Sequence, residues 1–221
     1  MGLLRLKAAC HMDIKKLLLF VGILFSACGK KAETLPFYNT PDFTAEWIDK
    51  ADATYPKIHT IANFSLKNQL GKVINQDSLN GHVYLANFFF CSCPNICPKM
   101  MENLSAAQQA FKNNVAVRMV SFSVMPWRDS VKVLKKYGDD HQINPAKWFL
   151  LTGDKGVIYT LGRQSYFSEK RPGLDKTNAD FLHTESLLLI DKQSRIRGIY
   201  TATDTAQVKR AIEDVGILLK E

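Results

Sequence analysis

The stretch from Val83 to Met101 constrains the fold more than any other part of the chain. Val83 to Phe90 is an apolar, aromatic and β-branched run of strand length, broken only by Asn87, and it leads directly into Cys91-Ser-Cys93-Pro-Asn-Ile-Cys97-Pro. Pro94 and Pro98 restrict the backbone there and favour the start of a helix. Met100 or Met101, Leu104, Ala107 and Phe111 then recur at helical spacing, so the methionines read as part of a core face rather than as a metal-binding box. The expected structure is a buried strand, a cysteine loop and a helix. A helix N-terminus directs unpaired amides and its positive dipole end at nearby sulfurs. That lowers thiol pKa and favours the thiolate, the form that binds metal or attacks a disulfide. Cys93 and Cys97, four residues apart, fall on one side of a helical turn. The residue they have beyond Cys-x-x-Cys leaves room for an ion between the sulfurs.

Around this stretch the chain alternates strand and helix patterns. Residues 61–74, with Phe64, Leu66 and Leu70-Gly71-Lys72-Val73, predict a β-hairpin that leads through Gly81-His82 into the central strand. Val115 to Val124 predicts a second strand, and Asp129-Ser130 can cap a helix through Val131, Leu134 and Tyr137 to Gly138. Trp148 to Leu151 predicts a third strand, and Val157 to Arg163 a short helix. Residues 163–179 are polar, with Gly, Pro and Asp, and read as an exposed loop. Leu187 to Ile190 and Arg195 to Thr201 read as strands around Lys192-Gln-Ser, followed by a helix with Val208, Ala211, Ile212, Val215 and Leu218 on one face. Alternation of this kind predicts an α/β fold, with right-handed crossovers and a mainly parallel central sheet flanked by helices, plus the added N-terminal β-hairpin.

Of the 221 residues 46% are hydrophobic and 23% charged, which suits one globular domain with a substantial core. Leu17 to Ala27 is an apolar run preceded by Lys15-Lys16 and followed by Cys28-Gly29. It is short for a membrane-spanning helix, which needs about 20 apolar residues, and suits a signal segment, with Met12 a candidate true start. The small residues before Cys28 resemble a bacterial lipobox, in which that cysteine becomes the acylated N-terminus. The expected organisation is a signal peptide over 1–27, a tether and extension over 28–56, and the folded domain over 57–221. The protein is then exported across the cytoplasmic membrane and lipid-anchored in the cell envelope, facing the periplasm. Residues 1–27 carry four basic side chains and one acidic, so +3 of the formal +8 leaves with them; the remaining +5, without a basic run, does not indicate nucleic-acid binding. With Cys10 and Cys28 accounted for, the remaining Cys91, Cys93 and Cys97 crowd one loop. Three clustered cysteines in an oxidising compartment read as a reactive or metal-binding site rather than a disulfide framework.

Several motifs, in order, resemble the Sco (SenC) copper-binding proteins of the thioredoxin superfamily. Phe88 to Pro98 is similar to that family's Cys-Pro-x-x-Cys-Pro signature. His183, eight residues before Asp191, matches its ligand histidine, and residues 120–129 and 148–153 are similar to two further family blocks. The resemblance covers roughly residues 60 to 220. It implies a thioredoxin-like fold, copper held by Cys93, Cys97 and His183, and a redox dithiol formed by the same two cysteines. It also implies a role as a metallochaperone or thiol-redox factor in assembling the copper centre of cytochrome c oxidase subunit II, or of another cuproprotein client. Two positions depart from the family: Met125 stands where an aspartate is usual, and Cys91 where a threonine is usual. Both are therefore candidate accessory residues, Cys91 as a third sulfur, a resolving thiol or a small buried hydrophobe at the strand end. Two thiolates and an imidazole suit Cu(I), and Cu(II) with an added donor; zinc would accept the same three.

Two other classes of function compete. A thiol-disulfide oxidoreductase of this fold usually has Cys-x-x-Cys and a proline immediately before the strand beside the site, whereas here the nearest is Pro172, well before Leu187. A peroxidase wants Thr or Ser three residues before its attacking cysteine, where this chain has Phe88 and Phe90. A purely structural interaction domain would leave the three clustered cysteines without a purpose. His59, His82 and His141 lie in polar or turn-like contexts and read as surface residues.

Overall fold

The computed structural model describes residues 34–169, 181–182 and 184–221. The candidate signal segment, Met12, Cys28, Pro172 and His183 lie outside the described residues. Strand β1 (Phe37–Tyr38) pairs antiparallel with β2 (Ala45–Glu46). A seven-stranded sheet follows from β3 (Ser65–Asn68), β4 (Val73–Asn75), β5 (Val83–Phe89), β6 (Val117–Ser123), β7 (Trp148–Thr152), β8 (Ser186–Ile190) and β9 (Ile196–Thr201), in the order β4-β3-β7-β6-β5-β8-β9. The α-helices among the described residues are α1 (Ile96–Ala110), α2 (Val131–Asp140), α3 (Lys155–Thr160), which continues into a π-helical turn over Leu161–Ser165, and α4 (Thr205–Leu218).

The sheet is parallel at its centre and antiparallel on both flanks. β5, β6 and β7 run in one direction because α1 and α2 return the chain between them. β3 joins β7 antiparallel and forms the expected hairpin with β4 around Gly71, whose φ of +74° suits glycine. β8 joins β5 antiparallel and turns into β9 through residues 191–195, where Asp191 accepts from the amides of Gln193 and Arg195.

β5 is the axis of the molecule, buried at all seven positions because both faces are covered. Val83, Leu85 and Phe89 pack with Met100, Met101 and Leu104 of α1, Leu134 of α2 and Val208 of α4. Tyr84, Ala86 and Phe88 face the other layer, with Phe122, Leu151, Ile158, Tyr159 and Tyr166. Each fully buried Val, Leu or Phe here contributes about 1.5–3 kcal/mol.

Two expectations are corrected by long-range packing. The start of the 163–179 stretch is buried rather than exposed: Tyr166 meets Phe88 edge to face and packs at a tilt on Phe122, and its hydroxyl lies 3.1 Å from that of Tyr84. Polar composition hid this, because the aromatic anchors are Tyr166 and Phe167. Residues 35–38, part of the polar tether by composition, pack against β9, with Phe37 buried and the Arg197 guanidinium donating to the carbonyls of Leu35 and Pro36. Among the described residues no helix is long and apolar enough to cross a membrane.

Candidate metal and thiol site

The cysteine loop leaves the C-terminal end of β5, the usual position for a site in an open α/β sheet. The last bond that ties it to β6 runs from Val124 N to Phe89 O, 2.8 Å. The strand ends at Phe89, and a turn at Cys91-Ser92 brings Cys93 N within 3.3 Å of Phe90 O. Cys91 therefore does not continue a strand and does not line up beside Cys93 by strand alternation.

Asn95 is the N-cap of α1, yet its side chain caps nothing. The free amides are used by sulfur instead. Burial opposes ionisation of Cys93, but N–H groups of Cys97, Asn95 and Ile96 outweigh it and hold this thiol below its usual value. Cys97, one turn into the helix and 3% exposed, goes the other way. Burial, together with the neighbouring Cys93 sulfur and Asp129, pushes it up to about 12, although the Phe90 amide pulls downward. The helix N-terminus thus activates one thiol of the pair rather than both. Cys91, Cys93 and Cys97 are all free thiols.

The third cysteine faces elsewhere. The Cys91 amide donates to Asp129 Oδ2 at 3.1 Å, and burial together with the same carboxylate, which the thiol also faces, raises the thiol. Cys91 is half-buried and lines a surface groove of about 280 Å3 with Lys132, Val133, Lys136, Tyr137 and Asp140, so it is not simply a small core residue. Asp129 is 2% exposed and also accepts from Ser123 Oγ at 2.6 Å. From sequence it reads as half of a helix cap; the cap is Ser130 alone, whose Oγ accepts from Val133 N. The turn that buries Asp129 closes when the amides of Arg128 and Asp129 both donate to Met125 O. No periodicity reports such a turn. Tyr137 is likewise a site neighbour that helical spacing shows only as a core residue: it packs on Phe89 at 5.5 Å, and burial plus the three cysteines raise its hydroxyl.

Met125 is half-buried against the Phe88 and Phe122 layer, and its amide donates to Ser123 Oγ at 3.2 Å. Among the described residues no three Cys, His, Asp or Glu side chains are disposed to hold a metal ion, so neither Cys91 nor Asp129 completes a site with Cys93 and Cys97. His183 lies outside the described residues. Its described neighbours dock at the same end of β5: Phe181 meets Phe90 edge to face at 5.6 Å, Leu182 is fully buried near Phe88 and Gly162, and Thr184 Oγ1 donates to Ser168 O. The other histidines are elsewhere. His59 Nε2 lies 2.7 Å from Ser165 O, His82 Nδ1 lies 3.2 Å from Asn80 O, and His141 stacks on Tyr137 at the C-cap of α2.

Known proteins resemble this chain in sequence and fold. The SCO1 protein homolog of Bacillus subtilis is 30% identical over 164 residues, 72% of this chain and 83% of its own length. Among solved structures, a SCO1/SenC family lipoprotein from Bacillus anthracis superposes with a TM-score of 0.63 at 27% identity, covering 73% of this chain and 95% of that one. Bradyrhizobium japonicum ScoI, solved with copper bound, gives 0.57 at 26% identity, covering 72% and 99%. BsSco, described as a Sco family cytochrome c oxidase assembly protein with a disulfide switch, gives 0.62 at 29%, covering 74% and 95%. The SCO1/SenC family profile matches residues 52–218, spanning both layers of the sheet and the cysteine loop, and the chain belongs to that family, with its thioredoxin-like fold.

Proposed function

We propose that this protein is an exported copper-binding assembly factor whose Cys93 and Cys97 act both as copper ligands and as a reversible dithiol. The observation that carries the reading is the unequal pair of free thiols at the α1 N-terminus, with three helix amides directed at Cys93 and Cys97 buried behind it. Two adjacent sulfurs in an apolar setting are a soft donor set that suits Cu(I). The third ligand in this reading is His183, on the family motif. The cargo is one copper ion, as Cu(I) or Cu(II). The client is the copper centre of cytochrome c oxidase subunit II or another cuproprotein, in keeping with what is stated of the BsSco and copper-bound relatives. Cys28 carries the lipid anchor. The chain's own residues supply the thiolate at Cys93, a second sulfur at Cys97, and an apolar wall of Phe89, Phe90 and Tyr137 that limits water.

The test is anaerobic titration of the reduced chain with Cu(I), reading stoichiometry and sulfur coordination. One copper per chain is expected, lost in Cys93→Ala and Cys97→Ala, with His183→Ala mainly weakening the Cu(II) form. Unchanged copper retention in Cys97→Ala overturns the reading. Copper loading and a Cys93–Cys97 disulfide should exclude each other, because the ligands must be thiolates. A second reading, thiol-disulfide oxidoreductase without copper delivery, draws on the same lowered Cys93. Turnover in a disulfide-reductase assay together with failure to retain Cu(I) would favour it.

A further inference from the structure

Three thiols within seven residues can form three different disulfides, and Cys91 is not set aside by burial, since it is half-exposed and lines the α2 groove. Asp129 is the group that holds it. This carboxylate is 2% exposed, and among the described residues no Lys, Arg or His forms an ion pair with it. Burying a carboxylate without a cation is costly unless donors surround it. Its donors are Ser123 Oγ at 2.6 Å and the Cys91 amide at 3.1 Å, with the Cys91 thiol facing the same carboxylate. Its backbone is fixed through Met125, whose amide returns to Ser123 Oγ. Cys91 is thereby tied to the turn between β6 and α2, while Cys93 is tied to the amides of α1.

We propose that Asp129 is a positioning residue that selects the disulfide: by anchoring Cys91 to the β6–α2 turn it leaves Cys97 as the partner of Cys93. This rests on the reading of Cys93 and Cys97 as the redox pair. When a small linear disulfide RSSR meets the reduced site, the Cys93 thiol gives its proton to solvent, the thiolate attacks one sulfur and releases RS⁻, and RS⁻ takes a proton back from solvent as RSH. The sulfur of a second cysteine then attacks Cys93 Sγ in the mixed disulfide, and the second RSH leaves with that cysteine's proton. Two thiols are oxidised and one RSSR is reduced to two RSH. Cys97 and Cys91 compete only in the second step, and a Cys91 held by Asp129 must break its contacts with the carboxylate to take part.

The full chain, reduced and then oxidised with oxidised glutathione, is treated with an alkylating reagent. The labelled position among 91, 93 and 97 is located by peptide fragmentation. The wild type should carry the label on Cys91. Asp129→Asn, which keeps the shape but gives up the charge and one acceptor oxygen, should raise the ratio of Cys91-containing to Cys93–Cys97 disulfide by about tenfold or more. A wild-type map with Cys91 in the bridge overturns the redox-pair reading and this inference together. A wild-type Cys93–Cys97 map with an unchanged Asp129→Asn map overturns this inference alone. If Asp129→Asn does not fold, Ser123→Ala decides, because it withdraws only one donor: a rise in Cys91-containing disulfide supports the selection, and a map identical to wild type overturns it.

Discussion

Cys93 and Cys97 sit on the same helical turn and meet opposite surroundings, so their chemistry should divide. Amides hold Cys93 below the ordinary thiol range, while burial lifts Cys97 to about 12. At neutral pH much less of Cys97 than of Cys93 is therefore thiolate. In the reduced protein at pH 7, a small alkylating reagent should therefore modify Cys93 well before Cys97, as peptide mapping over time would measure; equal rates would contradict the assigned environments. Cys91→Thr puts a hydroxyl beside Asp129 in place of the thiol, and Cu(I) stoichiometry should stay at one per chain in the same titration. The two cysteines were legible in the sequence because residue type and spacing carry their chemistry. Asp129 was not, since its place depends on a turn of residues 123–129 closed by backbone bonds to Met125 O and Ser123 Oγ. For the same reason the turn at Cys91-Ser92, which aims Cys91 at Asp129, could not be read from strand alternation.

At the level of elements, the end of β5 is held from two directions. α1 and α2 cover one face, and the π-helical turn Leu161–Ser165 with Leu182 covers the other. Gly162 is what lets the second cover close. A Cβ there would come within 2.7 Å of Leu182 Cδ2 and 3.1 Å of Phe88 Cε1, both in a fully packed layer. Gly162→Ala should lower stability by about 1–3 kcal/mol through overpacking, as denaturant unfolding would measure. Because Leu182 directly precedes His183, the variant should also weaken Cu(II) binding; wild-type stability and affinity would mean that the layer yields freely at this point. β5 and β6 were legible as near-continuous apolar runs of strand length, and α1 and α4 because each carries a long periodic face. The parallel centre followed from strand–helix alternation, whereas the antiparallel flanks depend on where the two hairpins dock. Phe167, with φ of +50°, and Tyr166 show how two aromatics bury the start of a segment that composition assigns to the surface.

Across the whole molecule, the thiols and the incoming chain lie at opposite ends of the sheet. β8 runs antiparallel to β5, with Ile190 opposite Tyr84, so the Asp191 to Arg197 region lies at the end of β5 away from the cysteine loop. Seven residues at about 3.3 Å each separate the two ends by about 20 Å. Arg197, 3% exposed, is the fastening at that far end. It pairs with Asp191 and Glu221, donates to the carbonyls of Leu35 and Pro36, and lies 4.1 Å from the centre of the Phe37 ring. These partners are drawn from residues 35 to 221, which is why the packed extension had no signature in local sequence. Removing one partner of a buried ion pair costs about 3–5 kcal/mol. Here Asp191 keeps Arg195 at 2.7 Å and the Glu221 side chain is 28% exposed, so Arg197→Ala should fall near the lower figure, about 3 kcal/mol. Without the guanidinium the two carbonyls and Phe37 lose their anchor, so limited proteolysis should cut within residues 34–58 faster than in wild type. The Cu(I) stoichiometry of the folded variant should not change, because nothing in the cluster touches the cysteine loop. Faster cleavage with one copper retained would establish that the chain's entry and its thiol end are held independently. Loss of copper in a folded Arg197→Ala protein would mean instead that the fastening supports the site along the length of β5.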